Sequence, residues 1–126
     1  MYKQNEHLVF SPSDLVGFTY SEFASWMDRF KLECNPQAPE PDTVDSFMQL
    51  LFAKGEGHEA AMLNTFAAQG LTIVNISLDL LGKDASFIQK QQATLEAMQA
   101  GVDVVYQAAL ELLPFRGFAD FLIKVP

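Results

Sequence analysis

The segment from Gly101 to Val125, GVDVVYQAALELLPFRGFADFLIKV, restricts what this chain can fold into more than any other. Two runs of β-branched and aromatic residues flank a connection containing Pro114, the pattern of an antiparallel hairpin. In the first run, strand alternation puts Val102, Val104, Tyr106 and Ala108 on one face and Asp103, Val105, Gln107 and Ala109 on the other. In the second, Ala119, Phe121, Ile123 and Val125 share a face, and Asp120 takes the opposite one beside Phe118 and Leu122. A carboxylate between apolar neighbours on a strand is costly unless it is paired, hydrogen-bonded or bound to a metal. Asp120 is therefore the first pointer to function.

The rest of the chain must supply what covers this hairpin. Its 126 residues suit one domain that buries a core without disulfides or metal staples. A hydrophobic content of 49% and a mean hydropathy of +0.08 are those of a folded chain. No apolar run approaches the roughly 18–20 residues of a membrane span, and no signal-peptide core follows Met1, so a cytosolic chain is expected. Cys34 is the single cysteine, which excludes an intrachain disulfide. Sixteen acidic against eight basic residues give a net charge of −8. That balance disfavours a protein that grips nucleic acid with Lys and Arg alone. It leaves room for an enzyme whose divalent cation brings positive charge to a polyanion.

From the N-terminus, Ser11, Pro12 and Asp14 predict a capped helix start. Thr19 and Glu22 repeat the device, predicting a second helix in which Phe23, Trp26, Met27 and Phe30 form an apolar stripe directed to the core. Residues 35–42, with three prolines, read as a loop. Helical spacing returns at Val44, Phe47, Met48, Leu51 and Phe52. Lys54-Gly55-Glu56-Gly57 is expected to interrupt it, because two close glycines weaken a helix interior. A further helix then opens at His58 and Glu59 and ends near Gly70, a natural cap. Leu71–Ile76 predicts a strand, and residues 77–84 a loop around Gly82. A helix from about Ala85 to Ala100 follows, with Ile88, Leu95 and Met98 inward and Gly101 stopping it. Helices interleaved with a mixed sheet make an α/β arrangement.

Glu59 leads the same helical stripe as Met62, Leu63 and Phe66, while His58 sits at the flank. An amphipathic helix does not begin its buried stripe with a bare carboxylate, so Glu59 needs a partner. Together Glu59 and Asp120 offer the oxygen ligands that hard divalent cations prefer. An ion so held activates water and stabilises charge on a phosphodiester. Plainer readings stand beside this one: Glu59 capping its own helix, Asp120 accepting a salt bridge from Arg116, and His58 as an ordinary surface histidine.

Several stretches also resemble the RecB-like nucleases of the PD-(D/E)XK superfamily. Residues 11–16 and 23–29 look like that family's N-terminal helices. Gly55 to Glu59 is similar to its Gly-x-x-His-Glu helix, Ala93 to Leu110 to its helix and first hairpin strand, and Gly117 to Leu122 to its Gly-x-Ala-Asp-Phe-Leu segment. The resemblance implies a restriction-endonuclease-like core, hydrolysis of DNA, and Mg²⁺ or Mn²⁺ as cofactor. It makes Asp120 the metal-binding aspartate and Glu59, or else His58, the helix ligand, with Asp120 and Glu59 the catalytic pair.

The departures shape the expectation as much as the match. The superfamily's acidic-x-Lys strand has no counterpart before Pro126, and Lys124 shares the strand of Asp120. The implied domain is partial, the N-terminal portion of a metal-dependent DNA nuclease that is inactive alone. Ser21 stands where some relatives have a cluster-binding cysteine, so no iron–sulfur cluster is implied. The competing class is a non-catalytic interaction module, or a structural fragment, keeping the first half of the fold. An uncovered strand from Gly117 to Val125 would present an open apolar edge, predicting self-association or a partner that supplies a strand.

Overall fold

The computed structural model describes all residues except 35, 36, 41, 44, 77–84 and 126. Two compact units emerge, one formed by Met1–Asp42 with Glu111–Gly117 and the other by Thr43–Leu110 with Phe118–Pro126. Among the described residues the chain is mixed α/β, with four helices and two small sheets. Among the described residues no helix is long and apolar enough to cross a membrane.

The first unit opens with a hairpin absent from the sequence-based expectation. Strands β1 (Tyr2–Gln4) and β2 (His7–Val9) pair antiparallel through Asn5 and Glu6, both with positive φ. Two left-handed residues are what a two-residue turn of this hand requires. Helix α1 (Pro12–Tyr20) carries the expected capping box between Ser11 and Asp14. Helix α2 (Glu22–Cys34) opens at Ser21 instead of at Thr19. Ser21 accepts from the Ala24 N–H, while the Thr19 hydroxyl bonds back to the Val16 carbonyl.

The aromatic stripe of α2 does not form a core. Phe23 is 70% and Trp26 56% exposed, and only Met27 and Phe30 are half-buried. The rings stack on one another instead, Phe23 on Trp26 at 6.2 Å and Trp26 on Phe30 at 5.4 Å. Helical spacing identifies a stripe without saying what it faces, and the rings here shield each other's faces.

The unit is closed by the hairpin tip. Phe10 brackets residue 115, donating to the Pro114 carbonyl and accepting from the Arg116 N–H, with its ring 6.2 Å from that of Phe115. Gly117 has a steric reason: a Cβ there would lie 2.6 Å from Pro12 Cδ. The Arg116 guanidinium pairs with the Glu111 carboxylate and donates to the Tyr2 hydroxyl at 2.8 Å.

In the second unit, α3 (Ser46–Ala68) runs unbroken through Gly55 and Gly57, capped by Asp45. The expected interruption is absent, because glycine weakens a helix through chain entropy, about 1 kcal/mol each, and keeps its N–H and C=O in the ladder. The first half of α3 leaves Phe47, Met48, Leu51 and Phe52 exposed. Val44, expected on that stripe, and the loop at 77–84 lie outside the described residues. Gly70 ends α3 as expected, at φ +76°, with the Gly70 and Leu71 N–H groups bonded to the Ala67 and Phe66 carbonyls. Gly101 ends α4 (Phe87–Gln99) in the same way, onto Met98 and Ala97.

Strand β3 (Ile73–Asn75) is shorter than expected because its leading residues have other work. Leu71 completes the helix cap, and Thr72 accepts from and donates to Asp103 through its backbone and hydroxyl. Strand β3 pairs parallel with β4 (Val104–Leu112), with α4 as the crossover, and β5 (Phe115–Ile123) lies on the far side of β4. Helix α4 buries its small residues, Ala93, Thr94 and Ala97, and exposes Ile88, Leu95 and Met98, the reverse of expectation. Small side chains let the helix approach Val105, Ala108 and Ile76 closely. The buried Thr94 hydroxyl donates to the Lys90 carbonyl and accepts from the Ala109 N–H, tying α4 to the sheet.

Candidate functional site

The second half of α3 is anchored by rings. Phe66 is buried with its ring edge-on to Phe121 of β5 at 5.5 Å, and Phe121 lies 5.2 Å from Tyr106 of β4. Met62, Leu63 and Glu59 precede Phe66 on the same stripe and are half-buried. Two turns of helix from Phe66, the Glu59 carboxylate therefore arrives over β4. His58, one residue away and about 100° around the helix, is exposed.

Two side chains of β4 converge on the two acidic residues through three hydrogen bonds. The Tyr106 hydroxyl donates to Glu59 Oε2 at 2.6 Å. Gln107 Nε2 donates to the same oxygen at 3.3 Å and to Asp120 Oδ1 at 3.2 Å. One amide nitrogen thus links the two predicted carboxylates, and they cannot be farther apart than those two bonds together allow. Because Glu59 lies well inside a continuous helix, it does not cap an N-terminus. Asp120 differs from expectation in another way: it is exposed on the sheet, so no burial penalty attaches to it.

Backbone conformation makes this convergence possible. Gln107 has φ +55° in the middle of β4, a left-handed conformation that disfavours side chains larger than glycine by about 1 kcal/mol or more. In regular strand geometry Tyr106 and Gln107 point to opposite faces. Here both reach one carboxylate oxygen, as happens where a bulge breaks the alternation.

The electrostatics of the site are one-sided. Among the described residues neither Glu59 nor Asp120 forms an ion pair, and their bonding partners are a neutral phenol and a neutral amide. The Tyr106 hydroxyl is held above its usual range near 10, first because its hydrogen bond to Glu59 needs the proton and then because of burial. Arg116 is engaged with Glu111 and Tyr2. Lys124 reaches the Gly101 carbonyl at 3.5 Å, at the other end of the hairpin's first strand.

Against protein-family models, curated proteins and solved structures, the chain matches none. What the site can do is therefore argued from its side chains. Among the described residues no three His, Cys, Asp or Glu groups converge as a metal cluster. Two carboxylates and an amide do converge. That donor set suits Mg²⁺, which takes one or two carboxylates and keeps several waters. Tyr106 and Gln107 escaped the reading of the sequence because alternation separates them. Two adjacent polar-tipped residues inside an apolar strand are the one sequence mark they carry, and it does not show that both reach one oxygen.

Proposed function

We propose that Glu59 and Asp120 are the cation-binding carboxylates of a RecB-like nuclease site, carried on a restriction-endonuclease-like core. The observation that carries this reading is the single Gln107 nitrogen bonded to both carboxylates, which puts a helix acid and a strand acid around one point. A Mg²⁺ or Mn²⁺ ion bound there would supply Lewis-acid stabilisation of a phosphodiester and lower the pKa of bound water. Glu59 and Asp120 bind and orient through their oxygens. Tyr106 fixes Glu59 Oε2 by donating a hydrogen bond to it. The solvent exposure of Asp120 leaves the site open to a polymer such as DNA, and the cation's charge would offset the repulsion between its backbone and the acidic surface. His58, exposed at the flank of α3, is the peripheral candidate.

Hydrolysis needs more than these groups. No acidic-x-Lys strand follows Asp120 in these residues, so they are expected to bind the cation without cleaving DNA. The test is calorimetric titration with Mn²⁺ alongside a cleavage assay on single- and double-stranded DNA. Saturable Mn²⁺ binding, lost in Asp120→Ala, with no cleavage, is the expected result. Absence of binding would remove the cation reading, and cleavage abolished by Asp120→Ala would show that a second chain completes the site.

A second reading, an interaction module, is favoured by one observation. Strand β5 ends the order β3-β4-β5, leaving the edge from Phe118 onward open among the described residues. Such an edge accepts a strand from another copy or from a different protein.

A further inference from the structure

We infer that Gln107 is a positioning residue: its side-chain amide clamps the Glu59 and Asp120 carboxylates together before a cation arrives, and then turns to face that cation. The turn rests on the cation reading above; the clamp does not.

The clamp follows from valence and shape. Two carboxylates offer only acceptors, so the group facing both must be the amide nitrogen, with one N–H for each oxygen. It stands where like charges would otherwise push Glu59 and Asp120 apart. The backbone gives the second argument. Position 107 is left-handed, and a chain that needed only that conformation would be served best by glycine. Glutamine at φ +55° is explained by what its side chain reaches. Its bond to Glu59 depends on that conformation, since an extended residue 107 would turn away from the face that Tyr106 presents to Glu59.

The turn follows from charge. N–H donors repel a cation, so an ion entering between the carboxylates displaces them. Half a rotation about the Cγ–Cδ bond exchanges Nε2 for Oε1. The carbonyl oxygen is then a third oxygen donor of the kind hard cations accept. No backbone movement is required.

Two measurements on the intact chain test this. The first is a thermal-denaturation cycle comparing Gln107→Gly in the native background and in Asp120→Ala. The clamp predicts that Gln107→Gly lowers the midpoint by about 4 °C in the native background and does not lower it when Asp120 is gone. Equal shifts in both backgrounds would overturn the clamp, because a purely conformational role at 107 ignores Asp120. Gln107→Asn accepts the left-handed backbone with an amide one methylene too short, so the same cycle run with it decides the clamp if the glycine variant does not fold. The second measurement follows the Gln107 side-chain NH₂ resonances, identified by their loss in these variants, during a Mg²⁺ titration. Movement of the pair as the N–H groups leave the carboxylates supports the turn. Mg²⁺ shifting neighbouring Tyr106 and Asp120 signals while the Gln107 pair stays in place would overturn it. Mg²⁺ shifting nothing would overturn the cation reading and the turn together, while the denaturation cycle still decides the clamp.

Discussion

Two polar clusters in this molecule are built from similar groups and end in opposite states. In the first unit, the Glu111 carboxylate meets the Arg116 guanidinium, which also holds the Tyr2 hydroxyl. The Arg116 and Glu111 side chains are 13% and 19% exposed, so charge is answered by charge away from water. In the second unit, Glu59 and Asp120 are met by a phenol and an amide only, and Asp120 lies in solvent. The first arrangement stabilises a fold and leaves nothing to bind. The second holds two carboxylates together with neutral donors only, which favours the fold little and is what the proposed cation reading requires. A carboxylate pair left without a cationic partner departs from the way structural ion pairs are built, and such departures are where functional sites are expected.

The contrast predicts graded responses to mutation. Arg116→Met should have the largest effect, lowering stability by about 2–3 kcal/mol in urea denaturation, because Glu111 is left shielded from water without its partner. A loss under about 0.5 kcal/mol would mean that this cluster is not structural. A smaller, pH-dependent effect is expected at Asp103, a carboxylate answered within the second unit. Hydrogen bonds from the Thr72 N–H and then the Thr72 hydroxyl hold its pKa below the usual value near 3.9. A depressed folded-state pKa means that the contribution is present above the unfolded value and disappears as pH falls through the folded one. Thermal midpoints of Asp103→Asn should fall below the native protein's at pH 6 and converge with them towards pH 2. A constant gap would show that the loss is steric. The smallest change belongs to Glu59→Gln and Asp120→Asn, each expected within about 0.5 kcal/mol of the native chain by denaturation while removing Mn²⁺ binding. Destabilisation as large as that of Arg116→Met would erase the distinction between the clusters.

How much of this could be read from the residues varies with the kind of signal. Capping chemistry was readable: Ser11 with Asp14, Gly70 and Gly101 all act locally, and local rules found them. The stripe that turns Glu59 inward beside Met62, Leu63 and Phe66 was equally readable, as was the hairpin around Pro114. Burial was not. Phe23, Trp26, Leu95 and Met98 are apolar and exposed, whereas Ala93 and Thr94 are small and buried, because α4 gains contact by approaching closely. Hydropathy registers what a side chain prefers and is silent on how near two backbones come. Gln107 lies beyond both kinds of rule. Its role depends on one dihedral angle that breaks strand alternation, and glutamine carries no intrinsic preference for it.

The division of the chain into units has a consequence for the order in which it is made. The first unit draws its closing piece, Glu111–Gly117, from a stretch separated from Asp42 by the bulk of the second unit. Tyr2 and Arg116, which bond across it, are 114 residues apart in sequence. At a synthesis rate of about 5–20 residues per second, the N-terminal hairpin and both its helices wait several seconds for their last partner. During that interval the stacked rings of Phe23, Trp26 and Phe30 and the unoccupied side of Phe10 are available to other chains. Entropy of loop closure rises only slowly with length, so the long separation weakens the finished unit little. It acts on timing: the first residues to be made are among the last to be secured.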